Sequence, residues 1–281
     1  MIKRGGRTMA HVDPQWSLRD HSQEGWQIRA EVCPKWIRVK FDGRFIADSK
    51  QVLIVTETGR LPVYYFPKKD VNLDVFKPSE KQVTDPNKGN QLFWHISSGG
   101  RTVENAVWSY SGAHQEAVYL QDHYSFSWNK VDAWYEEEEE IFVHARDPYS
   151  RVDAIPASRH VQIELDGVIV ADSKRPVILY ETGLTPRYYL HQEDVRLDLL
   201  KPVDLTTRCP YKGVASYWTA SVNGREYNDL VWSYKSPLPE VHEVEGLLCF
   251  YHESVDALYV DGVRWSLSAD DRLPYRNIER G

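Results

Sequence analysis

Ile37-Arg-Val-Lys-Phe-Asp-Gly-Arg-Phe-Ile-Ala-Asp-Ser-Lys50 returns, at an offset of 124, as Val161-Gln-Ile-Glu-Leu-Asp-Gly-Val-Ile-Val-Ala-Asp-Ser-Lys174. Apolar side chains alternate at Ile37, Val39 and Phe41 and again at Val161, Ile163 and Leu165, the period of a half-buried strand. Asp42-Gly43 and Asp166-Gly167 follow. An Asp-Gly pair flanked by alternating apolar residues is a strong hairpin signal, because the turn that matches strand twist needs positive φ at both central positions. Each copy therefore opens with a β-hairpin.

Working outward at the same offset, about 30 identities fall in the roughly 70 positions from Asp42 to Tyr110, with no gap needed. Glu57-Thr58-Gly59 matches Glu181-Thr182-Gly183, Tyr64-Tyr65 matches Tyr188-Tyr189, and Asp70-Val71 matches Asp194-Val195. Lys88-Gly89 matches Lys212-Gly213, and Val107-Trp108-Ser109-Tyr110 matches Val231-Trp232-Ser233-Tyr234. Further strands are predicted at 52–56, 63–66 and 92–96 and at their partners 177–180, 187–190 and 216–220. Asp70 and Asp194 read as N-caps of short helices or turns. The expected fold is mostly β, two tandem copies of a compact antiparallel domain of coiled sheets with little helix. The predicted organisation is an N-terminal arm over 1–35, a first repeat domain over 36–135, an acidic, proline-containing linker over 136–158, a second repeat domain over 159–265 and a C-terminal tail over 266–281. Glu136 to Glu140 read as a solvated face.

Composition narrows the function classes. A formal net charge of −7 and a pI near 5.8 argue against a phosphate-backbone binder, so nucleic acid is not an expected partner. No run of eighteen apolar residues occurs, so no membrane span is expected. Residues 1–20 carry Lys3, Arg4 and Arg7 with no apolar run behind them, which points to the cytoplasm. Cys33, Cys209 and Cys249 are three, widely spaced and without a Cys-x-x-Cys pair, so reduced thiols are expected and a structural zinc site is not. Nothing in the sequence names a cofactor or a protein partner.

The blocks Leu-Asp-Gly-x-x-x-Ala-Asp-Ser, Pro-x-Tyr-Tyr, Asp-Val-x-Leu-Asp, Cys-Pro-Tyr-Lys-Gly and Val-Trp-Ser-Tyr resemble the family called domain of unknown function 427 (DUF427), in its tandem form. The linker phrase from Asp147 to Pro156 is similar to that of tandem members. The family is sometimes labelled a nucleotidyltransferase domain, a label that supplies no mechanism. The first copy departs from the pattern at one block: Cys209-Pro-Tyr-Lys-Gly213 is Asp85-Pro-Asn-Lys-Gly89 there. A working site is accordingly expected in the second copy.

Candidate site residues come from the polar members of otherwise apolar or turn-forming blocks. Glu181 and Lys212, with Glu57 and Lys88 as their first-copy counterparts, are the expected polar anchors, because a turn at Lys-Gly needs only the glycine's freedom. Cys209, near Arg208 and Lys212, reads either as a nucleophile or as an inert packed thiol. Tyr188, Tyr189, Tyr211, Tyr217, Trp218, Trp232 and Tyr234 form an aromatic set that strand alternation divides between core and a binding face. The expected ligand-binding group is Glu181, Tyr188, Cys209, Lys212, Trp218, Trp232 and Tyr234, with an altered counterpart at Glu57 and Lys88. Asp194 and Asp198 are weighed as divalent-metal ligands against their capping role, and His191 has nothing to orient it. The expected function is a small-molecule-binding module. The alternatives are an enzyme acting on a nucleotide or phosphorylated metabolite, with Lys212 on phosphate and Glu181 as acid or base, and a structural tandem serving protein assembly.

Overall fold

The computed structural model describes residues 26–265, so the tail over 266–281 and most of the N-terminal arm lie outside the described residues. Among these residues one compact unit runs to Pro148 and a second begins at Tyr149. Each unit holds a seven-stranded and a four-stranded antiparallel sheet.

In the first domain the larger sheet runs Ile28–Val32, Leu53–Glu57, Val63–Pro67, His123–Phe126, Arg101–Ser111, Gly89–Ser98, Phe76–Asp85. Its smaller sheet runs Glu139–Ile141, Ala133–Glu136, Ile37–Phe41, Arg44–Ser49. The second domain repeats the order: Val152–Pro156, Val177–Glu181, Arg187–Leu190, Leu248–Phe250, Arg225–Pro237, Gly213–Val222, Leu200–Cys209 in one sheet, and Val263–Arg264, Ala257–Val260, Val161–Leu165, Val168–Ser173 in the other. Among the described residues helix is confined to short 3-10 turns.

The opening hairpins form as their sequence requires. Asp42 and Gly43 have φ of 50° and 73°, and Asp166 and Gly167 have 47° and 74°. In each copy a second aspartate closes the turn: Asp132 Oδ2 accepts the Asp42 N–H at 2.6 Å, and Asp256 Oδ2 accepts the Asp166 N–H at 2.6 Å. The repeated Val-Asp-Ala block is thereby explained. The repeated Ala-Asp-Ser block is explained similarly, since Ser49 Oγ donates to Asp70 at 2.6 Å and Ser173 Oγ to Asp194 at 2.8 Å. Asp70 and Asp194 end one-turn 3-10 helices instead of capping their starts, and Asn72 is the residue whose side chain caps.

Two boundary readings change. Residues 28–32 form an edge strand of the first domain, and 139–141 and 152–156, inside the expected linker, are also strands. Ala30 and Ala154 are the sole identity between the two edge strands, because backbone pairing asks little of side chains. Pro156 is tolerated because it sits on an edge, where its missing N–H breaks no ladder. Nor is the glutamate run uniformly solvated. Glu136 is buried and accepts from Tyr64 Oη at 2.8 Å and Lys35 Nζ at 2.5 Å, whereas Glu138 to Glu140 are exposed.

The larger sheet buries both faces. Between the sheets lies the main core, with Phe41, Phe66, Phe126 and Trp134 in the first domain and Leu165, Leu190, Phe250 and Leu258 in the second. On the other face a smaller aromatic core packs under a 3-10 segment: Val55, Tyr65, Tyr110, Ala117 and Leu120 in the first domain, and Leu179, Tyr189, Trp232, Tyr234 and Val241 in the second. Burying each large apolar side chain contributes roughly 1.5–3 kcal/mol, so this second core adds real stability and fixes the side chains of the candidate site.

Candidate functional site

Strand alternation aims Glu181 at the second core. Val177 and Leu179 belong to it, so Glu181, two residues further on, faces the same way. The turn Pro210-Tyr211-Lys212, closed by the Lys212 N–H to the Cys209 carbonyl at 3.3 Å, brings the lysine back over the sheet end. Lys212 Nζ then meets Glu181 Oε2 at 2.6 Å, and both side chains are about nine-tenths buried. Burial opposes the ammonium, but Glu181, followed by Cys209, outweighs it and holds the lysine pKa above its ordinary value. Burial, then the neighbouring Tyr189, Cys209, Tyr217 and Glu181, push the Tyr234 hydroxyl well above its usual range, so it stays a neutral donor.

Five of the expected residues thus share one face: Glu181, Cys209, Lys212, Trp232 and Tyr234. Trp232 joins through Tyr189, whose hydroxyl accepts its indole N–H at 3.1 Å. Tyr188 and Trp218 do not join. Tyr188 belongs to the main core and Trp218 packs against it, each adjacent in sequence to a tyrosine that faces the other way. His191 precedes a one-turn helix, and Asp194 and Asp198 pair with Arg175 and Arg196 respectively. No group of three or more His, Cys, Asp or Glu side chains with metal-holding geometry occurs among the described residues.

The first domain carries the same arrangement, more tightly closed. Lys88 Nζ contacts Glu57 Oε2 and lies 3.2 Å from Asp85 Oδ2, and its side chain is 3% exposed against 12% for Lys212. Glu57 Oε1 accepts the Trp26 indole N–H at 2.9 Å and approaches Arg60 Nε at 3.3 Å. Burial works to raise the Asp85 pKa, but the N–H of Asn87 and the Lys88 ammonium win and lower it. At the matching positions of the second domain stand Ser150 for Trp26, Leu184 for Arg60 and Cys209 for Asp85. Glu181 Oε1 has no hydrogen-bond partner among the described residues, and the two groups that hold its first-domain counterpart are absent from the sequence there.

The second domain adds a charged pair on this face. Arg187 grips Glu253 with two hydrogen bonds of 2.7 and 2.9 Å and lies beside the Trp232 ring, its guanidinium 5.7 Å from the centroid. Burial works against both charges, but each raises or lowers the other in the ionised sense, and Glu253 falls to about 2. The first domain has Val63 and Asn129 there. Trp26, Arg60 and the Arg187–Glu253 pair went unread in the sequence. Comparing the copies at their differences, as well as at their identities, is the signal that finds them. A shallow depression lined by Pro67, Lys68, Lys69, Leu73, Asp122 and His123 includes none of the expected residues.

The family model described as a domain of unknown function, DUF427, matches residues 29–137 and again 153–261. None of the curated proteins compared with the chain matches it. No helix among the described residues is long and apolar enough to cross a membrane.

Proposed function

The chain belongs to the DUF427 family in two tandem copies, and we propose that it is a small-molecule-binding module whose site is the Glu181–Lys212 pair of the second domain. One observation carries the reading. In the first domain the chain fills its own site with the Trp26 indole, whose N–H meets Glu57 Oε1 at 2.9 Å, and in the second domain Ser150 stands where that indole would come from. The ligand is then a flat ring with an N–H donor, seated toward Tyr189 and Tyr234 and hydrogen-bonded to Glu181 Oε1. A site of aromatic walls with a few fixed polar groups is the usual character of a small-molecule pocket. Lys212 holds Glu181 Oε2, which leaves Oε1 turned to accept. The Arg187–Glu253 pair bounds the aromatic wall on its other side.

The test is a thermal-shift screen of N–H heteroaromatic compounds on the wild type and on Ser150→Trp. A ligand at a hundred times its dissociation constant adds about 2.7 kcal/mol to stability, enough to read as a shift of several degrees. Compounds that stabilise the wild type should lose their effect in Ser150→Trp. A screen with no hits, or hits untouched by that substitution, would remove the site.

A further inference from the structure

The larger sheet of the second domain curls until distant strands meet. Between Val177–Glu181 and Gly213–Val222, the strand that follows Lys212, lie Arg187–Leu190, Leu248–Phe250 and Arg225–Pro237. In a flat sheet four strand steps would separate the outer two by roughly 19 Å, farther than a lysine and a glutamate reach between them. Lys212 Nζ nevertheless stands 2.6 Å from Glu181 Oε2, so the face carrying Glu181 is the inside of a coil. Register places more side chains on that inside, because residues paired across strands share a face. Leu179 pairs with Arg187 and Val177 with Tyr189, and the row through Tyr189 continues to Cys249, Trp232 and Tyr217. Polar contacts follow the same path. Thr207 Oγ1 lies 2.7 Å from Tyr217 Oη, and Tyr217 Oη lies 3.5 Å from Tyr251 Oη. The Tyr251 ring is 4.5 Å from that of Trp232, beside which stands the Arg187–Glu253 pair. Arg187 gives two N–H groups to Glu253, and its remaining N–H groups have no hydrogen-bond partner among the described residues.

The first domain keeps the tryptophan and loses this set. Around Trp108 stand Val63 for Arg187, Phe93 for Tyr217, Val83 for Thr207, Ser127 for Tyr251 and Asn129 for Glu253. Its occupant, the Trp26 indole, has no polar group besides its N–H. A largely apolar wall goes there with a bare ring, and the polar wall of the second domain fits a ring that carries hydrogen-bonding groups. Those groups are uncharged, because each acid already has its base: Glu181 has Lys212 and Glu253 has Arg187, and a further charge would go unpaired. Hydroxyls, which both donate and accept, suit the Arg187 N–H groups and the tyrosine hydroxyls together. Given the Glu181 site proposed above, on which this rests, we propose that the ligand's ring carries a neutral polyhydroxylated substituent of sugar size, held along Arg187, Tyr217 and Tyr251. The ring N–H stays on Glu181 Oε1.

Three probes share one ring and its N–H: indole, indoxyl β-glucoside and indoxyl sulfate, the first bare, the second a neutral polyol, the third an anion. Each is titrated into the isotope-labelled full chain, following backbone amide resonances around Glu181, Arg187 and Tyr217. The glucoside should bind about tenfold more tightly than indole, and the sulfate no more tightly than indole. Tyr217→Phe and the double variant Arg187→Val/Glu253→Asn install residues with which the first domain folds. Tyr217→Phe should remove about threefold of the glucoside's advantage and the double variant nearly all of it, while the dissociation constant of indole stays the same in both. Indole that binds together with a glucoside that binds no more tightly would overturn this proposal and leave the Glu181 reading standing. A sulfate tighter than the glucoside, or a glucoside advantage untouched by both variants, would do the same. Absence of binding by all three probes would overturn the proposal together with the reading it rests on.

Discussion

Acidification should weaken the second domain through His252, and the size of the effect follows from its surroundings. His252 is 3% exposed, lies against Tyr188 and Trp265 with ring centroids 5.3 and 5.7 Å away, and neither ring nitrogen has a hydrogen-bond partner among the described residues. Burial lowers its pKa to about 3, with Arg187 lowering it further and Glu253 acting in the opposite sense. An unfolded histidine titrates near 6.5, so the native state binds fewer protons than the unfolded state between these values. Stability is therefore full above about pH 6.5 and is lost as pH falls below it, at 1.36 kcal/mol per unit, down to about pH 3. Between pH 7.5 and pH 5 the loss from this one group is about 2 kcal/mol. His252→Phe removes the titration and keeps a ring between Tyr188 and Trp265. Urea unfolding of wild type and variant at both pH values isolates the effect, because every other titrating group cancels in the difference. The variant should gain about 2 kcal/mol on the wild type as pH falls to 5. A difference that changes by less than about 0.5 kcal/mol would refute the reasoning, showing that His252 is protonated or hydrated in the folded protein.

The two ion pairs should differ in cost when broken. Lys88→Met leaves buried Glu57 and Asp85 with the exposed Arg60 as their remaining shared cation and should cost about 3 kcal/mol in urea unfolding, as for a buried pair that loses one partner. Lys212→Met, at the more open pair, should cost less, about 1–3 kcal/mol. Gly167→Ala should cost about 1–2 kcal/mol by differential scanning calorimetry: an added Cβ meets nothing within 4 Å, so the penalty is purely that of φ at +74°. Glu253→Gln should cost about 1–2 kcal/mol, because Arg187 is half-buried and Glu253 is exposed, so solvent screens part of the unbalanced charge, and a Glu253→Gln/Arg187→Met double variant should recover part of that loss.

Much of the fold was legible because a repeat doubles each signal. The Asp-Gly hairpins, the Ala-Asp-Ser block and the Val-Asp-Ala block recur because each makes the same turn or the same side-chain closure in both copies. The edge strands 28–32 and 152–156 were not legible, since a strand that pairs on one side through its backbone leaves almost no identity behind. Glu136 hid within a run of five glutamates, although its place two residues after buried Trp134 gave it the inward phase. In the site, Glu181 and Lys212 stood out as charged members of turn-forming blocks, and the structure sets them against each other. Tyr188 and Trp218 were grouped with them for lack of a phase, because adjacent strand residues face opposite ways and an aromatic pair looks alike from either side. Trp26 lay outside the identities altogether, being absent from the second copy, and its absence is what distinguishes the two sites.

Indole is the smallest molecule that reproduces the Trp26 side chain, so its binding tests the account most directly. Nine heavy atoms at a typical ligand efficiency give a dissociation constant on the order of 1 mM. Titrating indole into the isotope-labelled full chain and following backbone amide resonances should shift the residues around Glu181, Thr182 and Lys212 with saturation in that range. The Glu57 and Lys88 region should stay still, since its own tryptophan occupies it, and Ser150→Trp should abolish the second-domain shifts. Shifts that fail to saturate, or that appear equally in both domains and survive Ser150→Trp, would contradict the reading of the second domain as an open site.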